Sequence, residues 1–410
     1  MTPALPLPDN YREDRPVNSR WLTVALACFF FVFGFTNAAW VVRIPDIRNI
    51  LEVNAAILGF LFLAGAIGAM ISLVAAPALI ARLSTRWGLL LGLIVYVAGG
   101  LLAAGALLYR DPVLLAVGNF ISGLGAGLAD VSVNVESTEL EKRAGRSLMP
   151  QLHGAFSVGT LIGALAGSLA IVVGINVPLQ SVLVSILTVV ILCVFFRFIP
   201  RGTGQVHGEH AQAQKTAPGE RRANWRNPRL ILLGLVIFGG SVTEGGAQDW
   251  LALAMVDDYK ISAQIAAITF AVVVGAMSIV RLSGGRIVDR FGRPFTLRLF
   301  AALGIAGVLL VILGAPNPLF AWTGAALWGA GVALAFPLTI SAAADGPSSS
   351  GRVAVVAAVG YAAFLVAPPL LGILAQTTGL LNMFWVFTGL LGLVLIAAGA
   401  AKPLESTTQK

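Results

Sequence analysis

The sequence is poor in charged residues. Asp, Glu, Lys and Arg make up 11% of its 410 residues, whereas 57% are hydrophobic and 46 are glycine. Soluble globular domains carry about 25% charged residues, so this composition excludes an ordinary water-soluble protein. It indicates a chain whose surface lies largely in lipid.

Cysteine and histidine are scarce as well, with two and three copies. Cys28 and Cys193 lie in apolar runs without a neighbouring Cys or His, so the sequence predicts neither a disulfide framework nor a metal site. His207 and His210 lie in a polar segment and are interpreted as solvated residues, not as metal ligands. We therefore expect no metal and no cofactor.

Two further absences narrow the function. The phosphate-binding pattern GxxxxGK[ST] is missing and no lysine follows a glycine, which argues against an ATP-driven pump or a membrane enzyme. The formal net charge is +8, but the basic residues flank apolar runs in groups of one to three, without interleaved aromatic residues. Nucleic acid is therefore not an expected partner.

Apolar runs near the roughly 20 residues that cross a bilayer occur twelve times, which predicts an all-α integral membrane protein. The predicted spans are 21–43, 56–81, 88–108, 112–138, 148–173, 178–198, 229–256, 261–283, 295–314, 318–343, 353–376 and 380–401. The first begins at Trp21 behind a polar tail and lacks a cleavage site, so it is interpreted as a retained span and not as a signal peptide.

The basic residues also predict an orientation. With the N-terminus in the cytoplasm, only Arg43, Arg48, Arg110 and Lys260 of the 27 Lys and Arg residues fall on the outer side. This positive-inside pattern places both termini in the cytoplasm of a cell membrane, with the bacterial inner membrane expected. The predicted parts are a tail at 1–20, a six-helix bundle at 21–198, a linker at 199–228, a second bundle at 229–401 and a tail at 402–410.

The two bundles show signs of duplication, which would give two pseudo-symmetric halves with a cavity between them. The join after span 8 reads GGRIVDRFGRP (284–294), and the join after span 2 reads ALIARLSTRWGLL (78–90). Aligned on Gly292 and Gly88, Asp289 falls on Thr85 and Arg290 on Arg86.

The stretch GRIVDRFGR at 285–293 resembles the loop motif GxxxDRxGR of the major facilitator superfamily. The resemblance covers the whole chain and implies a transporter whose gating involves Gly285, Asp289, Arg290, Gly292 and Arg293. In the first half the pattern is degraded, because Thr85 stands at the acid position and Ala81 at that of the leading glycine in the alignment above. An asymmetric latch is therefore expected.

The stretch GLGAGLADVSVNVE, followed by HGAFSVG at 153–159, resembles spans 4 and 5 of the fucose permease type of carrier. Asp130 and Asn134 keep the spacing of an acid and an asparagine in that type, and His153 falls where it has a polar residue near its sugar. The resemblance implies a proton-coupled carrier of a small polar solute. Span 1 departs from that type, because its main polar side chain is Asn37 and not an acid.

Carboxylates at bilayer depth cost roughly 2.5 to 3.5 kcal/mol, so those found there usually have a function or a partner. Asp130 is the first proton-coupling candidate, with a hydrogen-bonding role across a helix interface as the alternative. Glu244 is the next candidate, since it shares a face of span 7 with Gln248 beside Gly245 and Gly246. Glu136 is a third, although a cytoplasmic charge network is the favoured interpretation there.

The remaining solute-binding candidates are Asn37, Asn134, His153, Gln248 and the tryptophans Trp40 and Trp250, one in the first span of each half. The alternative for the tryptophans is anchoring at the membrane interface, and for His153 it is capping a carbonyl at a helix end. Asp249 is interpreted as a charge at the outer mouth.

The favoured function is a secondary active transporter, a proton symporter for a small polar, sugar-like solute, working as a monomer in the bilayer. A drug or metabolite exporter of the same fold, exchanging against protons, is the alternative, although span 5 lacks the pattern GxxxGPxxGG that is typical of antiporters in this superfamily. A non-transporting receptor on this fold is a further alternative.

Overall fold

The structure is a computed structural model that describes residues 19–144, 148–205, 224–345 and 349–404. Within these ranges it contains twelve helices long and apolar enough to cross a membrane and no β-strand. The predicted fold class and number of spans are therefore confirmed. His207 and His210 lie outside the described residues.

The spans run close to their predicted limits. Spans 1 to 6 are Ser19–Val41, Ala55–Leu83, Thr85–Tyr109, Pro112–Ala144, Met149–Val172 and Val177–Phe195. Spans 7 to 12 are Pro228–Asp257, Ala263–Phe291, Arg293–Leu313, Pro318–Val332 with Ala335–Ala343, Ser349–Thr378, and Leu380–Met383 with Trp385–Ala397. A short polar helix, Ile44–Leu51, follows span 1 and has no counterpart among the predicted runs.

Because each span reverses the direction of the chain, residues 19, 205, 228 and 404 all lie at one end of the bundle, here called the linker end. The opposite end, which carries Ile44–Leu51, is called the far end. Asparagine caps begin several helices: the side chains of Asn54, Asn176 and Asn317 at the far end, and of Asn227 at the linker end, accept hydrogen bonds from first-turn N–H groups. Three of them precede a proline in the first turn, which suits a helix start.

Small residues let spans 1 and 5 pack closely. Glycines recur every four residues along span 5, and a Cβ atom added at Gly159 would lie 2.0 Å from the Phe31 carbonyl oxygen. At Gly163 it would lie 2.2 Å from the Phe35 carbonyl oxygen. These positions therefore require glycine, and their four-residue spacing lets the two helices approach closely.

The backbone corrects the alignment of the two halves. Ser84, between spans 2 and 3, has φ 80° and ψ 163°, and Gly292, between spans 8 and 9, has φ 78° and ψ 162°. The residue with positive φ marks the same turn in each half, so Ser84 and not Gly88 is the equivalent of Gly292. The alignment on Gly88 was wrong by four residues. Asp289 therefore corresponds to Ala81, Arg290 to Arg82 and Arg293 to Thr85.

The two halves are joined at the far end. Arg48 in the short helix forms an ion pair with Asp257 at the end of span 7, and Gln376 of span 11 accepts a hydrogen bond from the Ala55 backbone N–H at 3.3 Å. Spans 2 and 11 touch through their backbones: a Cβ atom added at Gly59 would lie 2.4 Å from the Pro368 carbonyl oxygen, and one at Gly372 would lie 2.6 Å from that of Ala55.

The buried apolar residues form clusters that do not follow the boundary between the two halves. One cluster of buried residues includes the second half together with the far-end parts of spans 1 to 6. A separate cluster fills the linker-end part of the first half, around Phe29, Phe30, Leu93 and Val133. The shared packing between the halves is therefore concentrated toward the far end, while the linker-end part of the first half has its own core.

Candidate solute cavity

A cavity of about 350 Å³ is lined mainly by the first half, and Asp249, Phe364 and Pro368 of the second half complete its wall. Its lining comes from spans 1, 2, 3, 4 and 6 of the first half and from spans 7 and 11 of the second. The side chains that shape it include Asn37, Trp40, Phe62, Tyr96, Asn119, Gln180, Asp249 and Phe364. This volume is in the range of small-molecule sites, which begin at about 300 Å³.

Two of the predicted solute-binding residues line this cavity. Asn37 is exposed and Trp40 is half-buried, and they lie one turn apart on span 1. Beside them, the Gln180 amide accepts a hydrogen bond from Arg43 Nη1 at 2.9 Å and donates one to the Ala39 carbonyl oxygen at 2.7 Å. Gln180 is thus held in place, and Asn37 is left as an amide able to contact a solute.

Asp249 also lines the cavity, which corrects its interpretation as a charge at the outer mouth. Span 7 continues for two turns beyond it, to Asp257, so Asp249 lies inside the bundle. It is half-buried and makes no hydrogen bond or ion pair with any residue of the described ranges. A carboxylate without a cationic partner therefore faces the cavity.

Trp250 has a different position from the one expected. Its side chain is fully buried, and its ring packs edge-on against Phe62 of span 2 with 5.7 Å between centroids. In this conformation Trp250 offers no face to a solute and forms part of the contact between the halves. Gln248 is half-buried and is not among the residues that line the cavity.

Asp130 and Asn134 of span 4 form a pair on one face of the helix, as their spacing predicts. Asn134 Nδ2 donates to Asp130 Oδ1 at 3.1 Å and to the Asp130 carbonyl oxygen at 2.9 Å. Asp130 is exposed, and Tyr361 of span 11 lies close enough for its hydroxyl group to interact electrostatically with the Asp130 carboxylate. Asp130 is thus open to solvent and faces the second half.

Glu244 forms an ion pair with Arg281 of span 8, with 2.7 Å between Oε1 and Nη2. Arg281 Nε also donates to the Ala333 carbonyl oxygen at 3.1 Å, at the break in span 10. The break lies four residues before Pro337, which has no N–H to offer that carbonyl. Arg281 thus replaces the missing helical hydrogen bond and ties spans 7, 8 and 10 together.

His153 is exposed at the start of span 5. Its ring lies 5.0 Å from that of Phe30, and Arg281 is near enough for the two charges to interact when the imidazole is protonated. The side chain therefore faces the second half across the gap between spans 5 and 8.

Glu136 lies away from the cavity. It is buried and accepts hydrogen bonds from Thr85 Oγ1 at 2.5 Å and from Thr203 Oγ1 at 3.4 Å. Hydroxyl groups, and not the basic residues that follow in the sequence, are its hydrogen-bonding partners. Glu136 thus connects span 4 to the start of span 3 and to the segment after span 6.

The loop motif lies at the linker end. Arg293 donates to both oxygens of Asp345, at 3.0 and 2.8 Å, and Arg290 lies over the Phe291 ring. Asp289 is exposed and has no hydrogen bond or ion pair within the described part of the chain. The gating role that the resemblance implies for Asp289 stays a prediction. Gly285 is exposed, and among the described residues no atom outside its own helix backbone lies within 4 Å of the place where its Cβ would be.

Sequence reasoning missed Arg281 and the position of Asp249. The predicted end of span 8 at residue 283 leaves Arg281 in the last turn of the span. The helix runs to Phe291, which places Arg281 well inside it. The signal available for Asp249 was the length of the apolar run that continues after it, LALAMV.

Comparisons with known proteins agree with this architecture. The family model described as Major Facilitator Superfamily matches residues 24–363. An MFS-type transporter of Yersinia pestis is 28% identical over 392 residues, covering 94% of this chain and 96% of that protein. The nucleoside transporter NupG has a TM-score of 0.73 at 15% identity, covering 93% of this chain and 98% of that one. The E. coli fucose:proton symporter FucP has a TM-score of 0.64 at 17% identity, with the same coverage.

Proposed function

The chain belongs to the major facilitator superfamily, and we propose that it carries a small polar solute across a bacterial inner membrane by alternating access, coupled to the symport of protons. The linker end, with both termini, is assigned to the cytoplasm, because the Lys and Arg residues concentrate there. The transporter is expected to act as a monomer, since the cavity lies between the two halves of one chain.

The observation that carries this proposal is the cavity between the halves. It combines Asn37, Tyr96 and Asn119 with the aromatic walls of Trp40 and Phe364. Small-molecule sites are usually lined by apolar side chains, with a few polar groups that fix the orientation of the ligand. A hydroxyl-bearing solute, such as a sugar or a related metabolite, suits both types of surface.

Asp130 is proposed as the proton carrier. It is an exposed acid within a span, it faces the second half, and its hydrogen-bond donor Asn134 comes from its own helix. A carboxylate in this setting can take up and release a proton as the halves move, because the neighbours of a group control the stability of its charged form. Among the solved structures of this fold, FucP is named as a fucose:proton symporter.

Glu244 is the second acid to consider. Its carboxylate is already bound in an ion pair with Arg281 in this conformation. Asp130 has no such partner among the described residues, and it is therefore the more accessible of the two acids.

The test uses purified protein in liposomes with an imposed pH gradient, and a solute selected by thermal shift from a panel of hexoses, nucleosides and their amino derivatives. Asp130→Asn keeps the shape and much of the hydrogen-bonding capacity of the side chain but cannot titrate. We expect this variant to retain binding and exchange of solute without a gradient, and to lose uphill accumulation driven by the pH gradient.

Glu139→Gln is the matched control. Glu139 lies on the same span, pairs with Arg143 at 3.0 Å at the linker end, and is remote from the cavity, so its neutralisation should leave accumulation intact. Accumulation against the gradient by the Asp130→Asn variant would contradict the proton role of Asp130. In that case Glu244→Gln is the next variant to measure.

A further inference from the structure

We propose that Asp249 makes the central cavity selective for a solute that carries a protonated amino group on a polar body. This inference rests on the proposed transport function and names the class of solute. The cavity lining contains Asp249 as an acid and no Lys, Arg or His among its described residues. A cation inside the cavity is therefore attracted, and an anion is repelled.

Arg43 and Arg281 do not cancel this charge. Arg43 supports the cavity wall through Gln180, but its Nε lies 2.7 Å from Asp46, so its charge is balanced outside the lining. Arg281 is balanced by Glu244 in the same way. Each of these cations already has its own carboxylate, and Asp249 is left with its negative charge directed to the cavity.

The other lining groups suit the same ligand. Trp40, Phe62 and Phe364 line the same cavity as the Asp249 carboxylate. The faces of their aromatic rings attract cations, as the carboxylate does. Asn37 adds an exposed amide that can bind hydroxyl groups of the same molecule. An ammonium group close to Asp249, with a hydroxylated body along Asn37 and the aromatic walls, satisfies each of these groups.

The first experiment measures the charge of the cavity without any solute. Cys28 and Cys193 are replaced by alanine, and Ala126, which lines the cavity, is replaced by cysteine. The rates of modification by a cationic and an anionic methanethiosulfonate reagent are then compared. We expect the ratio of cationic to anionic rates to fall about fivefold or more in Asp249→Asn, because the attracting charge is gone.

Two controls accompany this measurement. Glu139→Gln changes the net charge of the protein by the same amount at a distant position and should leave the ratio unchanged. Asp249→Glu keeps the charge and should keep the preference for the cationic reagent. A ratio that is the same in wild type and Asp249→Asn, or a wild type that prefers the anionic reagent, would overturn the inference.

The second experiment measures solute preference with two matched triplets: glucosamine, glucose and glucuronate, and serinol, glycerol and glycerate. The readout is the shift in melting temperature of the detergent-purified protein, since ligand binding stabilises the folded state. We expect the amine of at least one triplet to stabilise the wild type more than its neutral and acidic partners. That advantage should disappear in Asp249→Asn.

An amine preference absent from both triplets, or one that persists in Asp249→Asn, would contradict the inference. The result is independent of proton coupling. If Asp130→Asn abolishes pH-driven accumulation and the amine preference remains, both proposals are supported. If the amine preference is found but Asp130→Asn leaves accumulation unchanged, only the proton role of Asp130 is refuted.

Discussion

Thr85 Oγ1 donates a hydrogen bond to Glu136 Oε2 at 2.5 Å, at the linker end of the first half. In the second half Arg293, the equivalent of Thr85 by backbone geometry, donates to Asp345 at 3.0 and 2.8 Å. The first residue of span 3 is thus bound to an acid in the next span, and the first residue of span 9 to an acid directly after the next span. The two halves share this arrangement, although one version is ionic and the other is not.

Glu136→Gln is expected to destabilise the fold by about 1 to 3 kcal/mol, because it weakens the hydrogen bonds of a buried carboxylate. The loss should appear as reduced resistance to denaturant in detergent. Uphill accumulation and its dependence on pH should remain, since Glu136 lies away from the cavity. If Glu136→Gln instead removed the coupling while leaving stability unchanged, Glu136 would belong to the proton path.

Asp257→Asn is expected to open the far end, because it removes the charge that pairs with Arg48 across the two halves. The measurement is labelling of a cysteine at position 126 by a membrane-impermeant reagent added from the far-end side. Arg110→Ala is the control, because Arg110 pairs with Glu52 of the same half, at 3.6 Å and largely in solvent. Equal labelling in both variants would exclude a gating role for the Arg48 and Asp257 pair.

Asp289→Asn is expected to favour the state open at the linker end, by about 0.3 to 1 kcal/mol, as for the loss of an acid at a helix N-terminus. Labelling of the cavity cysteine from the linker-end side should rise accordingly. Ala81→Asn places the same residue at the equivalent position of the first half, where no acid is lost, and should have a smaller effect. Similar increases in both variants would disprove the asymmetry of the two loops.

Trp250→Ala should destabilise the protein by about 3 to 5 kcal/mol, the usual cost of removing a large buried aromatic side chain. Trp40→Ala should cost less stability and weaken solute binding more, because Trp40 faces the cavity. Thermal denaturation and binding measured on the same two variants separate these outcomes. Reduced binding with full stability in Trp250→Ala would restore the solute-stacking role predicted from the sequence.

Hydropathy predicted the spans well because each crossing needs a long apolar run, and this requirement is visible along the chain. It did not predict the helix Ile44–Leu51, whose polar residues interrupt the run. Nor did it place Arg281, whose hydrogen bond to Ala333 depends on Pro337 in another span. Interactions between distant spans leave no local pattern in the sequence. Asp249 is a different case, because the apolar run LALAMV that follows it already indicated a position inside span 7.

The alignment of the two loops failed for a related reason. Gly88 and Gly292 are identical residues, but the turn requires a positive φ, and in the first half Ser84 adopts it. Serine enters this region less readily than glycine, so residue identity pointed to the wrong position. Backbone geometry, and not the identity of single residues, shows which positions of the halves correspond.

The seam between spans 2 and 11 has no room for a side chain at two positions. Gly59 and Gly372 meet carbonyl groups of the opposite helix, so the contact at these points is made by backbone and carries little apolar side-chain surface. A side chain at either position would overlap the carbonyl group that it faces, and the two helices would have to move apart to admit it. We therefore expect Gly59→Leu and Gly372→Leu to hold spans 2 and 11 apart and to disfavour the conformation closed at the far end.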